Sequence, residues 1–447
     1  MTFLLSGHMS CVDNGGMAKT FRPYEPDQLL LLPPSLADWV PEDHLARFVS
    51  DVVDSLDLTA IEDTYEEERG YPPYHPRMMV KVLLYGYCTG VYSSRKLARQ
   101  LEDSVAFRFL AAGNQPDFRT LSDFRQRHGA ALAGLFEQGL RLCRKAGLVQ
   151  LGRVAIDGTK MKANASKHKA MSYGRMQEKE AALRQEVVEL LRRAEQADRD
   201  EDQRYGAAHR GDAVPAELAR RESRLQKLAE AKAALEAEAG QRARAEGKDP
   251  DRSAPPPKAQ YNFTDPASKI QKTSDGFIQG YNAQAAVDAH AQIIVAQHVT
   301  AAAPDVQQLP TVVAAITAGL HRKPKQVLAD AGYWSEANAQ LLEGKHIAAY
   351  IATKRQPHGE RLAPAPRGRP PKDLSVRDRM ARKLRTVAGR AVYACRKKIV
   401  EPVFGQIKHA RGFRQFLRRG LHNVGEEWAL VCTAHNLLKL FAARAVT

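Results

Sequence analysis

Three carboxylates in this 447-residue chain sit where they could do more than solvate a surface. Asp157 ends the run Gly152-Arg-Val-Ala-Ile-Asp-Gly-Thr-Lys160. Val154, Ala155 and Ile156 read as a short buried strand that stops at the turn dipeptide Asp157-Gly158. A carboxylate delivered at the end of a buried strand is held rigidly at the rim of a sheet, a good place for a metal ligand. The alternative is that Asp157 only makes the Asx-turn that Asp-Gly favours. Asp330 ends a second apolar run, Lys325-Gln-Val-Leu-Ala-Asp, before Ala-Gly332-Tyr-Trp334-Ser335. Glu401 lies in Arg396-Lys-Lys-Ile-Val-Glu-Pro-Val-Phe-Gly-Gln-Ile-Lys408. Pro402 is tolerated in a first helical turn, so a helix is expected to begin close to Glu401. Val400, Val403, Phe404 and Ile407 would be its apolar face, with Lys408 on the same side as Glu401. An ion pair with the surrounding cations is the plainer reading of Glu401.

The elements that must position these groups can be read along the chain. Residues 1–20 show no periodicity, and Met17-Ala-Lys-Thr-Phe is as good a start, so they read as disordered or mis-started. Residues 21–148 read as an all-α domain. One helix starts at Pro41 and a core helix at Pro76. A third is capped by Ser93 or Ser94, with Arg95, Lys96 and Arg99 outside, and a fourth over Thr120–His128 exposes Arg119, Arg125 and Arg127. Short helices with basic outer faces suggest a helix-turn-helix-like DNA-binding unit, against an ordinary bundle with a basic surface. Ala131–Ala146 is a further helix leading into the first strand. Leucines at helical spacing within 176–258 read as an antiparallel helical hairpin followed by a Pro-rich linker. Strands are expected over Gln279–Asp288, Gln292–Thr300, Lys325–Asp330 and His346–Ile351, with helices capped by Asp305 and Ser335 between them. The order gives a mixed α/β sheet over 149–175 and 259–447 with helices on its faces.

Charge points to a partner. The net charge is +16 and the pI about 9.6. Ile351–Gly420 holds twenty Lys and Arg against four Asp and Glu, which matches the whole imbalance. A run of this size beside a candidate site reads as a nucleic-acid path. Five scattered cysteines without CxxC spacing suggest reduced thiols in a cytoplasmic protein and no zinc site. No apolar run is long enough to span a bilayer, and the basic segment lacks the apolar face of a membrane-surface helix. Arg367-Gly-Arg369-Pro-Pro-Lys372 is similar to an AT-hook core, a short arm for A·T minor grooves; a flexible basic loop is the plainer reading. Trp334 is either a packing residue or a stacking platform for a displaced base.

VAIDGTK around Asp157, LADAGYWS around Asp330 and KKIVEPVFGQIKHARGFRQF around Glu401 together resemble the DDE transposases of bacterial insertion sequences. In that family the Glu-bearing helix carries Tyr, Arg, Glu and Lys at fixed spacings. Glu401 and Lys408 fit, and Tyr393 and Arg396 fit each other. Arg396 stands one residue too far from Glu401, where Lys397 has the right spacing. The resemblance implies an RNase H-like fold and three catalytic, metal-ligating carboxylates, Asp157, Asp330 and Glu401. These would hold two Mg²⁺ ions (or Mn²⁺) about 3.5–4 Å apart. It implies that Lys408 and Arg396 or Lys397 hold phosphates of the element's ends beside Tyr393, with Arg411 on the same basic segment. The reaction would be nicking at the ends and strand transfer into target double-stranded DNA, by a homodimer, in the bacterial cytoplasm or nucleoid. Two rivals remain: an RNase H-like nuclease without strand transfer, and a decayed or domesticated DNA-binding protein without activity.

Overall fold

The computed structural model describes residues 35–65, 73–205, 216–273, 276–355, 363–365, 368, 371 and 373–444, with side chains described for all of these but 193–205, 216–219 and 251. The expectations for residues 1–20 and for Arg367 and Arg369 lie outside the described residues. Helices come first: α1 (Leu45–Ser55), a single turn α2 (Thr59–Glu62), α3 (Pro76–Thr89), α4 (Ser94–Asp103), α5 (Val105–Leu110), α6 (Phe118–Arg127) and α7 (Gly129–Lys145). Pro76 stands in the first turn of α3, where a missing N–H costs nothing, and Gly90 ends the helix at φ +82°. Ser93 precedes α4 but makes no side-chain cap, whereas Asp117 caps α6 by accepting from Thr120 N at 2.7 Å.

The strands are β1 (Arg153–Lys162), β2 (Ala170–Ser172), β3 (Gln260–Asn262), β4 (Lys269–Thr273), β5 (Gly276–Asp288), β6 (Ile294–Thr300), β7 (Gln326–Ala329) and β8 (Ala348–Ile351). β5 runs antiparallel to β1 on one side and pairs antiparallel with β4 and β6. β1 is parallel to β7 and β7 to β8. The main sheet is therefore mixed, β6-β5-β1-β7-β8 across its widest part. β2 and β3 form a separate ribbon.

Between β1 and β5 the chain makes two long helices, α8 (Tyr173–Tyr205) and α9 (Ala216–Ala245). Tyr173 meets Glu236, Glu180 meets Lys232, and Glu186 meets Arg221, so the two run antiparallel. Tyr173, Met176, Leu228, Ala231 and Leu235 form a small apolar cluster apart from the main core. Then come α10 (Leu309–Leu320), α11 (Glu336–Gly344), α12 (Val376–Arg385), α13 (Val387–Gly405) and α14 (Leu421–Arg444). Ser335 caps α11 as its position suggests.

α14 is apolar nearly all round and buried from Val424 to Leu437 save Gly425. It packs on β6 and on α3 and α7, so the sheet and the N-terminal helices share one core. Its polar groups fasten the contact. Asn436 both accepts from Ile294 N and donates to Ile294 O, each at 2.8 Å, and Trp428 Nε1 donates to Gln284 O. No helix among the described residues is long and apolar enough to cross a membrane.

Candidate active site

β1 does not stop at Asp157. It continues to Lys162, with Asp157 opposite Ala285 in the middle of the ladder. The expected turn is absent because Gly158 serves another purpose. A Cβ there would meet Gln284 Nε2, Asn282 Oδ1 and Asp305 Oδ1, so the glycine opens room for side chains crossing the strand. The register brings Ile156 opposite Ala329 of β7, and the next residues along the two parallel strands are Asp157 and Asp330. Asp330 starts a one-turn 3₁₀ segment (Ala331–Tyr333), accepting from Gly332 N at 2.8 Å. Two carboxylates thus stand side by side on neighbouring interior strands, where β7 ends.

Glu401 is placed differently. α13 begins at Val387, and Pro402 lies deep inside it rather than in its first turn. Proline removes the N–H that the carbonyl four residues back would accept. That carbonyl, Lys398 O, accepts from Gln292 Nε2 at 3.0 Å instead. Beyond Pro402 the helix widens into a π-turn over Gln406–Ala410. Val400, Val403 and Ile407 are buried as expected, Phe404 is only partly buried, Ile399 is buried as well, and α13 lies across β1, β5, β7 and β8. Glu401 itself is solvent-exposed.

What α13 brings to the carboxylates is Arg396. Its Nη1 donates to Asp157 Oδ2 at 2.9 Å, with both side chains mostly buried. Arg396 Nε is buried with no hydrogen-bond partner among the described residues. Lys397 is exposed, and of the two Arg396 is the one that meets Asp157. Burial pushes the Asp157 carboxyl up to about 6; Asp330 and Asp305 push the same way, and Arg396 opposes them. Burial raises the Tyr393 hydroxyl too, with Arg396 beside it pulling the other way. Lys408 Nζ donates to Lys160 O on β1 at 3.0 Å.

Asp305 was expected as a helix cap. The cap of α10 is Gln308, without a side-chain bond. Asp305 instead faces Lys160, Asn282 and Gln284 beside Asp157 and Asp330. A helix-start pattern hid it. The signal that could have found it is Asn282 and Gln284, amides in a strand that is buried there and must have them satisfied.

Other basic residues divide. Arg95, Lys96 and Arg99 are exposed on α4; Arg95 lies over the Phe118 ring and Arg99 pairs with Asp103. Arg125, expected outside, is buried and donates to Tyr92 O and Ser94 Oγ. Arg411 also turns inward, 3.4 Å from His435 Nδ1, with its own carbonyl packed against Gly90. Trp334 packs half-buried against the core.

Hard carboxylate oxygens with surplus negative charge suit a divalent cation, and Asp157 and Asp330 are such a pair. Among the described residues, however, no three His, Cys, Asp or Glu side chains converge closely enough to hold one ion. Residues 34–127 match a family model described as a transposase domain (DUF772), and residues 244–437 match one described as a transposase DDE domain. The second stretch contains Asp330 and Glu401; Asp157 falls between the two. No curated protein and no solved structure matches the chain.

Proposed function

The chain belongs to the DDE transposases of insertion sequences, and from that premise we propose that it binds the ends of its element and carries out metal-dependent strand cleavage and strand transfer. Asp157, Asp330 and Glu401 would be the carboxylates of an RNase H-like catalytic domain, a reading that the mixed sheet with β1 between β5 and β7 supports. The observation that carries this reading is the Arg396–Asp157 pair. It brings the helix of Glu401 over the two strands that present the aspartates.

A bound Mg²⁺ or Mn²⁺ would supply charge neutralisation at the scissile phosphate and an activated oxygen nucleophile. The chain's own residues do the rest. Asp157 and Asp330 are the fixed anionic oxygens, and Glu401 joins them from α13. Arg396 neutralises Asp157 in the free protein and passes to a DNA phosphate, for which its unpaired Nε is a ready donor. Lys397, Lys408 and Tyr393 hold phosphates of the element's end near the scissile bond. Arg95, Lys96 and Arg99 would contact the duplex through residues 21–148, and Arg367 and Arg369 its minor groove. Two copies would act on paired ends.

Supercoiled DNA carrying the element's ends, incubated with Mg²⁺, tests this. Wild type should cut at the ends and Asp157→Asn should not. Equal cutting by both would mean that the carboxylate site is misplaced. Cutting by neither, with DNA still bound, would favour a DNA-binding protein without activity. A labelled 3′-end and a target plasmid separate strand transfer from plain nuclease action.

A further inference from the structure

Three donors converge on one oxygen of Asp305. Asn282 Nδ2 lies 2.6 Å from Oδ1, Gln284 Nε2 2.9 Å and Lys160 Nζ 3.5 Å. Asn282 and Gln284 are fully buried, and their orientation is fixed from behind. Gln284 Nε2 also donates to Asn282 Oδ1, and Gln284 Oε1 accepts from the Tyr333 hydroxyl. Asn338 Nδ2 donates to Val306 O and to Tyr333 O, at 2.7 and 2.8 Å. The segment bearing Asp305 and the turn that follows Asp330 are therefore tied together.

The other oxygen of Asp305 is bare. Among the described residues Oδ2 accepts no hydrogen bond. It lies 3.4 Å from where a Cβ on Gly332 would stand, and Asp330 Oδ1 lies 3.0 Å from the same point. The glycine thus leaves open the space between two carboxylates. Partly buried like charges repel, and such an arrangement persists where an opposite charge compensates it. A carboxylate clamped through one oxygen and aimed through the other toward a ligand set is how outer-sphere groups tune an ion site.

We propose that Asp305 is a positioning residue of the carboxylate site: clamped by Asn282 and Gln284, it adds the negative charge that strengthens divalent-cation binding by Asp157 and Asp330. This rests on the metal-dependent reading above. Lys160 acts against it, since its ammonium competes for the same charge.

Mn²⁺ titrated into the full-length protein, with free Mn²⁺ followed by electron paramagnetic resonance, provides the test. Asp305→Asn keeps the shape and the clamped acceptor but removes the charge. It should weaken Mn²⁺ binding about 10-fold or more, within the range for outer-sphere substitutions, at an unchanged Tm. Lys160→Met should move affinity the other way. Wild-type affinity in Asp305→Asn, with binding lost in Asp157→Asn, would overturn the proposal and leave the metal site standing. No Mn²⁺ binding by wild type, or full binding by Asp157→Asn, would sink the metal-dependent reading and this proposal with it. If Asp305→Asn lowers Tm, Lys160→Met decides: tighter binding supports the role, and unchanged or weaker binding refutes it.

Discussion

Arg396 and His435 show how single buried groups set the behaviour of this protein. Arg396 stands on Asp157 where a cation would stand, so Arg396→Ala should tighten Mn²⁺ binding in the free protein while impairing end cleavage. Unchanged Mn²⁺ affinity and unchanged cleavage in that variant would show the ion pair to be incidental. His435 lies on the buried side of α14, its Nε2 2.9 Å from Gln292 O and its Nδ1 facing Arg411. Burial, with Arg411 adding to it, holds its pKa down to about 3. The folded state therefore keeps His435 neutral while the unfolded chain takes up a proton near pH 6.5. Its contribution is fully present above that pH and is lost as pH falls toward 3. Between pH 7 and 5 this group alone should remove about 2 kcal/mol of stability. Urea unfolding of His435→Gln should show a shallower decline over that window; an identical slope would mean that His435 is accessible.

At the scale of elements, α13 is held in an unusual shape by contacts from outside itself. Pro402 leaves Lys398 O without a helical donor and Gln292 fills the gap. Gln292→Ala should cost on the order of 1 kcal/mol, and less of that cost should remain in a Pro402→Ala background, where the helix supplies its own N–H. Additive effects in that double-mutant cycle would exclude the coupling. On β1, Gly158→Ala should displace Gln284 and Asn282, and Asp305 with them. End cleavage should fall before stability does, and full activity would show that the crossing side chains can move freely.

For the whole molecule, α8 and α9 carry an apolar cluster of their own, and the chain on either side of them is already joined. Tyr173 N donates to Ala259 O at 2.8 Å and Gly174 N to Pro257 O at 3.1 Å. Replacing residues 176–246 with a short linker should leave the sheet folded, since its core lies elsewhere. Global unfolding measured by circular dichroism would show the helices to be structural supports. Binding to element-end DNA should weaken steeply with salt, because phosphate contacts release counterions; a flat response would count against a basic path along 351–420.

Local chemistry explains what could be read in advance. The runs ending at Asp330 and Ile351, the hairpin of β5 and β6 and the core pattern of α3 follow from periodicity and turn residues. So does the presence of two long helices with leucines in register. The motifs around Asp157, Asp330 and Glu401 were visible as residue types in sequence. The adjacency of Asp157, Asp330 and Arg396 was not, because it depends on strand register and on α13 crossing the sheet. The strand through Asp157-Gly158 looked like a turn because the partner side chains that need a bare glycine come from more than a hundred residues away. Pro402 looked like a helix start because Gln292, the donor that lets it sit inside, is just as remote. Arg125 and Arg411 looked like surface cations, and only the packing of α6 and α14 turned them inward. The family and the candidate carboxylates were legible in the sequence. Packing set which cation meets Asp157, that Glu401 is exposed on α13, and that Asp305 stands beside the aspartates, because long-range contacts fix those positions and no local pattern encodes them.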